Sequence, residues 1–244
     1  MSFRIGLLES GRVTSDLVER HGRYADMFKQ LFGELDDSLI FVDYAVLDGE
    51  LPGKVDDCDA YIVTGSANGV YERLPWMADL QDFLRSAHKA GKRLLGICFG
   101  HQLIADAFGG QVEKVDRGWA VGLHDYRVHH PLPGMPDGRE SFTVFATHQD
   151  QVVAPPPDAL VLAGSDFCPN AVLKIGDHVL TMQCHPEIPH AFAHDLLETR
   201  RPRIGDDLAD QAQSTLFGDC DRWHVAGWLL DFLKSKEAGQ VRPQ

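Results

Sequence analysis

The chain has 244 residues, 44% hydrophobic and 24% charged, which is enough to bury the core of one α/β domain. Its formal net charge of −13 argues against nucleic acid or an anionic membrane surface as the main partner. No signal-peptide h-region opens the chain, and no apolar run approaches the roughly 18 residues of a membrane span.

Residues 3–8 read as a first strand, and Thr14 or Ser15 caps a predicted helix running to about Phe32, before Gly33. Strands follow at 39–46 and 60–63, then a helix over about 76–90 that ends at Gly91. The apolar run Arg93-Leu-Leu95 is a further strand, and residues 99–108 have helical spacing that stops at Gly109-Gly110. This alternation predicts an α/β fold: a mainly parallel central sheet flanked by helices on both faces. Between 111 and 182 the rhythm changes to short strands at 121–128, 141–145, 159–163, 171–175 and 179–182, with proline-rich turns at 131–138 and 154–157. They predict an antiparallel extension of the same sheet. Helices return at about 190–235, ending in a segment over 223–234 whose Val225, Trp228, Leu229 and Phe232 make an apolar face. The expectation is one domain over 1–244 with its core at about 3–190, and a frayed tail over 237–244.

The chemistry concentrates at Gly96-Ile-Cys-Phe-Gly-His-Gln102. Cys98 stands where a strand turns into a helix, with glycines two residues before and two after. Small residues there allow the sharp bend of a nucleophile elbow. The positive end of the helix dipole also favours a thiolate. Cys58, Cys168, Cys184 and Cys220 lack this setting and read as buried or incidental thiols. Five cysteines, an odd number with no CxxC pair, point to reduced thiols in a cytoplasm.

A thiol nucleophile needs a base, and the base needs an orienting group. His185 and Glu187 supply both at the end of a predicted strand. On an extended backbone, side chains two apart project to the same side, and Pro186 biases His185 toward that conformation. A third element, Ile62-Val-Thr-Gly-Ser-Ala-Asn-Gly69, follows another strand. A glycine-rich strand end beside the elbow can aim a backbone N–H at a developing oxyanion, which with the N–H of Phe99 would make a two-donor hole.

Together these motifs closely resemble the class I glutamine amidotransferases of the Cys-His-Glu triad type, over about residues 3–190. The family's Gly-x-Cys-x-Gly-x-Gln elbow is met by Gly96, Cys98, Gly100 and Gln102. Its His-Pro-Glu is met at 185–187, 87 residues after Cys98. Thr64-Gly65-Ser66 matches the oxyanion segment, and Thr147-His-Gln-Asp-Gln-Val152 looks like a stretch found in GMP synthases. Arg117-Gly-Trp-Ala-Val-Gly122 resembles the stretch that holds the amino-acid part of glutamine. The resemblance implies a flavodoxin-like fold and attack of Cys98 on a glutamine amide. It further implies that His185 protonates the departing ammonia, Glu187 orients His185, and water releases glutamate from a γ-glutamyl thioester. Gln102, Ser66, Trp119 and His148 are the implied substrate contacts. No metal or cofactor is implied.

The chain departs from the family in having Thr-Gly-Ser-Ala where many members carry Gly-Gly-Pro-Gly, a variant of the stand-alone, GMP-synthase-like branch. Too few residues follow Glu187 for an ATP-dependent synthetase module. The ammonia is therefore expected to pass to a separate synthetase or acceptor partner, or to be released. The main alternative is a stand-alone γ-glutamyl peptide hydrolase with the same triad. A non-catalytic regulatory role ranks below both, because the triad is intact. The intracellular protease and chaperone group, which has histidine directly after its elbow cysteine, fits less well because that position is Phe99. His190 with His194, and His129 with His130, lack the partners of a metal site and read as solvated. No Walker A or Rossmann fingerprint occurs.

Overall fold

A computed structural model describes residues 2–235; the predicted tail over 237–244 lies outside them. Eleven strands and seven α-helices alternate along the described chain. In order they are β1 (Arg4–Glu9), α1 (Ser15–His21), α2 (Tyr24–Gly33), β2 (Ile40–Ala45), β3 (Ala60–Val63), α3 (Pro75–Lys89), β4 (Arg93–Ile97) and α4 (Phe99–Ala107). Then come β5 (Gln111–Lys114), β6 (Ala120–Val128), β7 (Ser141–His148), β8 (Asp150–Ala154), β9 (Ala159–Gly164), β10 (Val172–Ile175) and β11 (Val179–Met182). The helices α5 (His190–Ile204), α6 (Asp206–Thr215) and α7 (Arg222–Lys234) complete the fold.

Nine strands form one sheet in the order β2-β1-β3-β4-β11-β10-β9-β6-β7. The strands from β2 to β11 in that order are mutually parallel, and the other four pair antiparallel. The predicted architecture is therefore the observed one: a mainly parallel sheet with an antiparallel extension. Its central strands alternate sides with a period of two. Ile62, Leu95 and Ile97 face one core with Phe28 and Phe32 of α2 and Val225 and Leu229 of α7. Val63 and Leu94 face the other, against Met77 and Leu84 of α3 and Leu103 of α4. Burial on both faces explains why these strands read as continuous apolar runs. No helix among the described residues is long and apolar enough to cross a membrane.

Three local expectations differ from the structure. The single helix expected over 14–32 is two, because Gly22 takes φ +78° and ends α1 with its N–H on the Val18 carbonyl at 2.9 Å. Asp26 then accepts the Arg23 N–H at 3.0 Å and restarts the helix as α2. The strands β5 and β8, unpredicted, form a separate two-stranded antiparallel ribbon. Finally, β11 stops at Met182, and residues 186–187 form a turn rather than extended strand.

The elbow glycines are required by close approach. A Cβ on Gly100 would lie 2.3 Å from the Val63 carbonyl oxygen of β3, and one on Gly96 would lie 2.6 Å from the Gly100 oxygen. Gly100→Ala is expected to push α4 off β3 and cost about 1–3 kcal/mol by overpacking. Urea unfolding reads this as a lower midpoint; an unchanged midpoint would mean that β3 and α4 are not so tightly apposed in solution.

Candidate active site

Cys98 sits between β4 and α4 with φ +53° and ψ −101°, one of two described non-glycine residues with positive φ. Such backbone costs on the order of 1–3 kcal/mol and persists only where surrounding structure enforces it. Here the Cys98 N–H donates to Met182 O at 2.8 Å, and the Cys98 carbonyl accepts from Gln102 N at 3.1 Å. The residue is 7% exposed, at the wall of a cavity of about 130 Å³. As first residue of α4, Phe99 has an N–H with no intrahelical acceptor.

His185 and Glu187 meet as expected, with His185 Nδ1 2.7 Å from Glu187 Oε1 and both side chains buried. The turn, not an extended strand, brings them together. His185 N donates to Phe145 O at 2.8 Å, while Arg222 of α7 donates Nε to Pro186 O at 2.8 Å and Nη2 to Glu187 O at 3.3 Å. Burial opposes a charge on His185. The negative charges of Glu187 and the Cys98 sulfur outweigh it and push the imidazole up to about 10. Its Nε2 is buried and has no hydrogen-bond partner among the described residues.

Gly65 lies between the two halves. A Cβ there would be 3.3 Å from His185 Cε1 and 3.9 Å from Cys98 Cβ. The segment is tied down from β1: Ser10 N donates to Thr64 Oγ1 at 3.0 Å, and Ser10 Oγ donates to Thr64 O at 2.9 Å. Among the described residues neither the Gly65 nor the Phe99 N–H has an acceptor. The structure thus gathers Cys98, His185, Glu187, Gly65 and Phe99 from separate segments at the carboxyl ends of β3, β4 and β11.

The expected substrate contacts Gln102, Ser66, Trp119 and His148 all line the cavity. Both amide hydrogens of Gln102 are already engaged, since Nε2 donates to Asp150 O at 2.9 Å and to Gln183 Oε1 at 3.1 Å. What Gln102 can offer a ligand is its carbonyl oxygen. His148 is held by Asp150 O, 3.1 Å from Nδ1, and burial pushes it down to about 3, so it stands neutral. His101 packs below the site with Nδ1 2.8 Å from Thr181 Oγ1. Burial also raises the thiols of Cys58, Cys168 and Cys184, Cys168 to about 12. Cys220 does not line the cavity. Among the described residues no group of three or more His, Cys, Asp or Glu has the arrangement of a metal site.

Sequence reasoning missed the cavity's charged wall. Arg200 and Arg203 of α5 stand over the Trp119 ring, 5.7 and 4.8 Å from its centroid. Arg200 also donates to the Thr147 carbonyl at 3.2 Å and to its hydroxyl. Lys114 and Asp150, register partners of β5 and β8, line the cavity with Tyr71 and Glu72. The only signal in the chain was the basic run Arg200-Arg-Pro-Arg203, which carries no spacing that points to a site.

A thiol on a strained elbow, beside an acid-buttressed imidazole and two free N–H donors, is the constellation of a cysteine-nucleophile amide hydrolase. The sequence matches the family description "Glutamine amidotransferase class-I" over residues 21–199. It is 30% identical to gamma-glutamyl peptidase 2 of Arabidopsis thaliana, an alignment covering 96% of each chain. It is 33% identical to a glutamine-hydrolyzing GMP synthase subunit of Halobacterium salinarum, over 71% of this chain and 88% of that one. In fold it is similar to a glutamine amidotransferase from Thermotoga maritima, at TM-score 0.73 and 18% identity, over 96% of this chain and all of the other. The chain belongs to the class I glutamine amidotransferase family.

Proposed function

We propose that this protein hydrolyses γ-glutamyl amide bonds, with Cys98, His185 and Glu187 as its catalytic triad. The observation that carries the reading is the position of Gly65, in contact range of both the His185 ring and Cys98, next to the His185–Glu187 pair at 2.7 Å. In this mechanism the Cys98 thiolate attacks the γ-carbonyl carbon, and the N–H groups of Gly65 and Phe99 donate to the developing oxyanion. The His185 imidazolium gives its proton to the departing nitrogen as the C–N bond breaks, leaving a γ-glutamyl thioester. Neutral His185 then takes a proton from water as that water adds to the thioester. That proton restores the imidazolium, and collapse of the tetrahedral intermediate breaks the C–S bond, expelling the thiolate and freeing glutamate. Glu187 holds the ring and stabilises its charged form at both steps. The whole is one domain in this reading.

Ser66, Trp119, His148 and the Gln102 carbonyl shape the binding cavity. Glu72, Asp150 and Lys114 offer both signs of charge to the amino-acid end of the γ-glutamyl group, which is a zwitterion. As physiological substrates we favour γ-glutamyl peptides, supported by likeness to a γ-glutamyl peptidase over almost the whole of both chains. Likeness to a glutamine-hydrolyzing GMP synthase subunit supports the second reading, glutamine hydrolysis with ammonia delivered to a separate synthetase.

The purified protein alone is expected to release glutamate from γ-glutamyl dipeptides faster than from glutamine or γ-glutamyl methylamine, scored by kcat/KM. Negligible turnover of every substrate until a synthetase partner is added would favour the second reading.

A further inference from the structure

Next to the Cys98 cavity lies a second one of about 230 Å³, and the two share Ala67, Arg200 and Arg203. The second groove has a different character. Val13 and Leu17 from the β1–α1 region and Phe192 and Leu196 from α5 give it apolar walls, while the two arginines stand at the shared border. Neither arginine has a counter-ion: the neighbouring Arg201 collects Glu198, Asp206 and Asp210, whereas no carboxylate lies within ion-pair distance of Arg200 or Arg203 among the described residues. Arg200 is half-buried, and burial works against its charge. A partly buried cation without a carboxylate partner, at the border of a cavity, is a ready site for an anionic ligand group.

An apolar run of rings connects the groove wall with the His185 ring. Tyr24 in its wall meets Phe192 edge-on, with ring centroids 6.1 Å apart. Phe192 belongs to the same apolar cluster as Phe145, whose ring is 6.5 Å from the His185 ring. In the mechanism proposed above His185 protonates the leaving nitrogen, so whatever the nitrogen carries must extend past His185.

We infer that the groove is the leaving-group subsite, and that it selects γ-glutamyl peptides whose second residue has an apolar side chain and a free carboxylate. The side chain lies between Val13, Leu17 and Leu196, displacing several waters of roughly 30 Å³ each. The carboxylate takes the paired guanidinium groups of Arg200 and Arg203, which the Trp119 face holds in place. This inference rests on the γ-glutamyl hydrolase reading and adds which leaving group the enzyme prefers.

The test is kcat/KM of the full-length protein for four compounds: γ-Glu-Phe, γ-Glu-Gly, the C-terminal amide of γ-Glu-Phe, and glutamine. The expected order places γ-Glu-Phe at least about tenfold above both γ-Glu-Gly, which lacks the side chain, and the amide, which lacks the carboxylate. In Arg203→Gln the ratio of γ-Glu-Phe to glutamine is expected to fall about tenfold or more, with Arg203→Lys recovering part of it. Val13→Asp, which puts a carboxylate opposite the ligand's own at a half-buried position, is expected to lower the same ratio, and circular dichroism checks the fold of each variant. An equal loss on glutamine and γ-Glu-Phe in Arg203→Gln would assign the arginine to the γ-glutamyl part and overturn the inference. Turnover without preference among the dipeptides would overturn the groove assignment alone. No turnover of any of the four would overturn the hydrolase reading and the groove with it.

Discussion

Cys98→Ala is expected to abolish γ-glutamyl hydrolysis, with a loss of at least about 10⁴-fold in kcat, while Cys184→Ala retains most activity. Removing a nucleophile leaves only what oxyanion donors and binding contribute, which is why the loss is so large. The comparison with Cys184 is demanding because that thiol directly precedes His185 in sequence and is fully buried. Burial holds it well above the ordinary thiol range, away from any nucleophilic role. Cys98 alone combines the elbow backbone, the cavity wall and proximity to the His185 ring. Mass spectrometry after a burst of substrate should also find the γ-glutamyl adduct on the peptide containing Cys98. Equal losses in two folded variants, or an adduct on another cysteine, would remove Cys98 from this role.

The second large effect is expected in Glu187→Gln: a fall in kcat of about 10²–10⁴ with little change in fold, since the amide can still contact Nδ1. Charge is what the substitution removes. Beside Glu187, His185 titrates far above its ordinary value of 6.5, at about 10. A folded value above the unfolded one means the folded state holds the proton more tightly. The resulting stability is complete below about pH 6.5 and is lost as pH rises toward 10. In Glu187→Gln the imidazolium loses its main support, so that alkaline loss of stability should flatten and the basic limb of the kcat/KM profile should move to lower pH. Thermal midpoints and kcat/KM measured from mildly acidic to strongly alkaline pH read both effects. Superimposable profiles of the two proteins would show that Glu187 does not support the charge on His185.

The elbow was legible because its constraints are local. Glycines at 96 and 100 flank a cysteine at the join of an apolar run and a helical pattern, and the structure gives the reason: each glycine has backbone within 2.6 Å of where a Cβ would stand. The His185–Glu187 pair was legible as a pair, although the turn that joins them was not, because Pro186 permits both extended strand and turn. The break at Gly22 was hidden by unbroken helical periodicity on either side. The ribbon of β5 and β8 was hidden because each strand is short and polar, and its partner lies about forty residues away in sequence. Arg200 and Arg203 had no local signal at all, since an arginine on a helix is usually a solvated one.

The chain by itself singled out the candidate reacting groups, one cysteine, one histidine and one carboxylate, and the family in which that spacing is found. Periodicity of two and 3.6, turn glycines and short motifs are written in neighbouring residues, so they survive without a fold. Only the tertiary structure decided what surrounds the Cys98 elbow. The sheet order brings β3, β4 and β11 side by side, so that Gly65 and His185 converge on Cys98 from 33 and 87 residues away. Packing of α5 against β6 and α1 then sets two arginines, without carboxylate partners among the described residues, over Trp119 and opens an apolar groove beside them. Those are long-range consequences of buried area and helix placement, which no run of adjacent residues records.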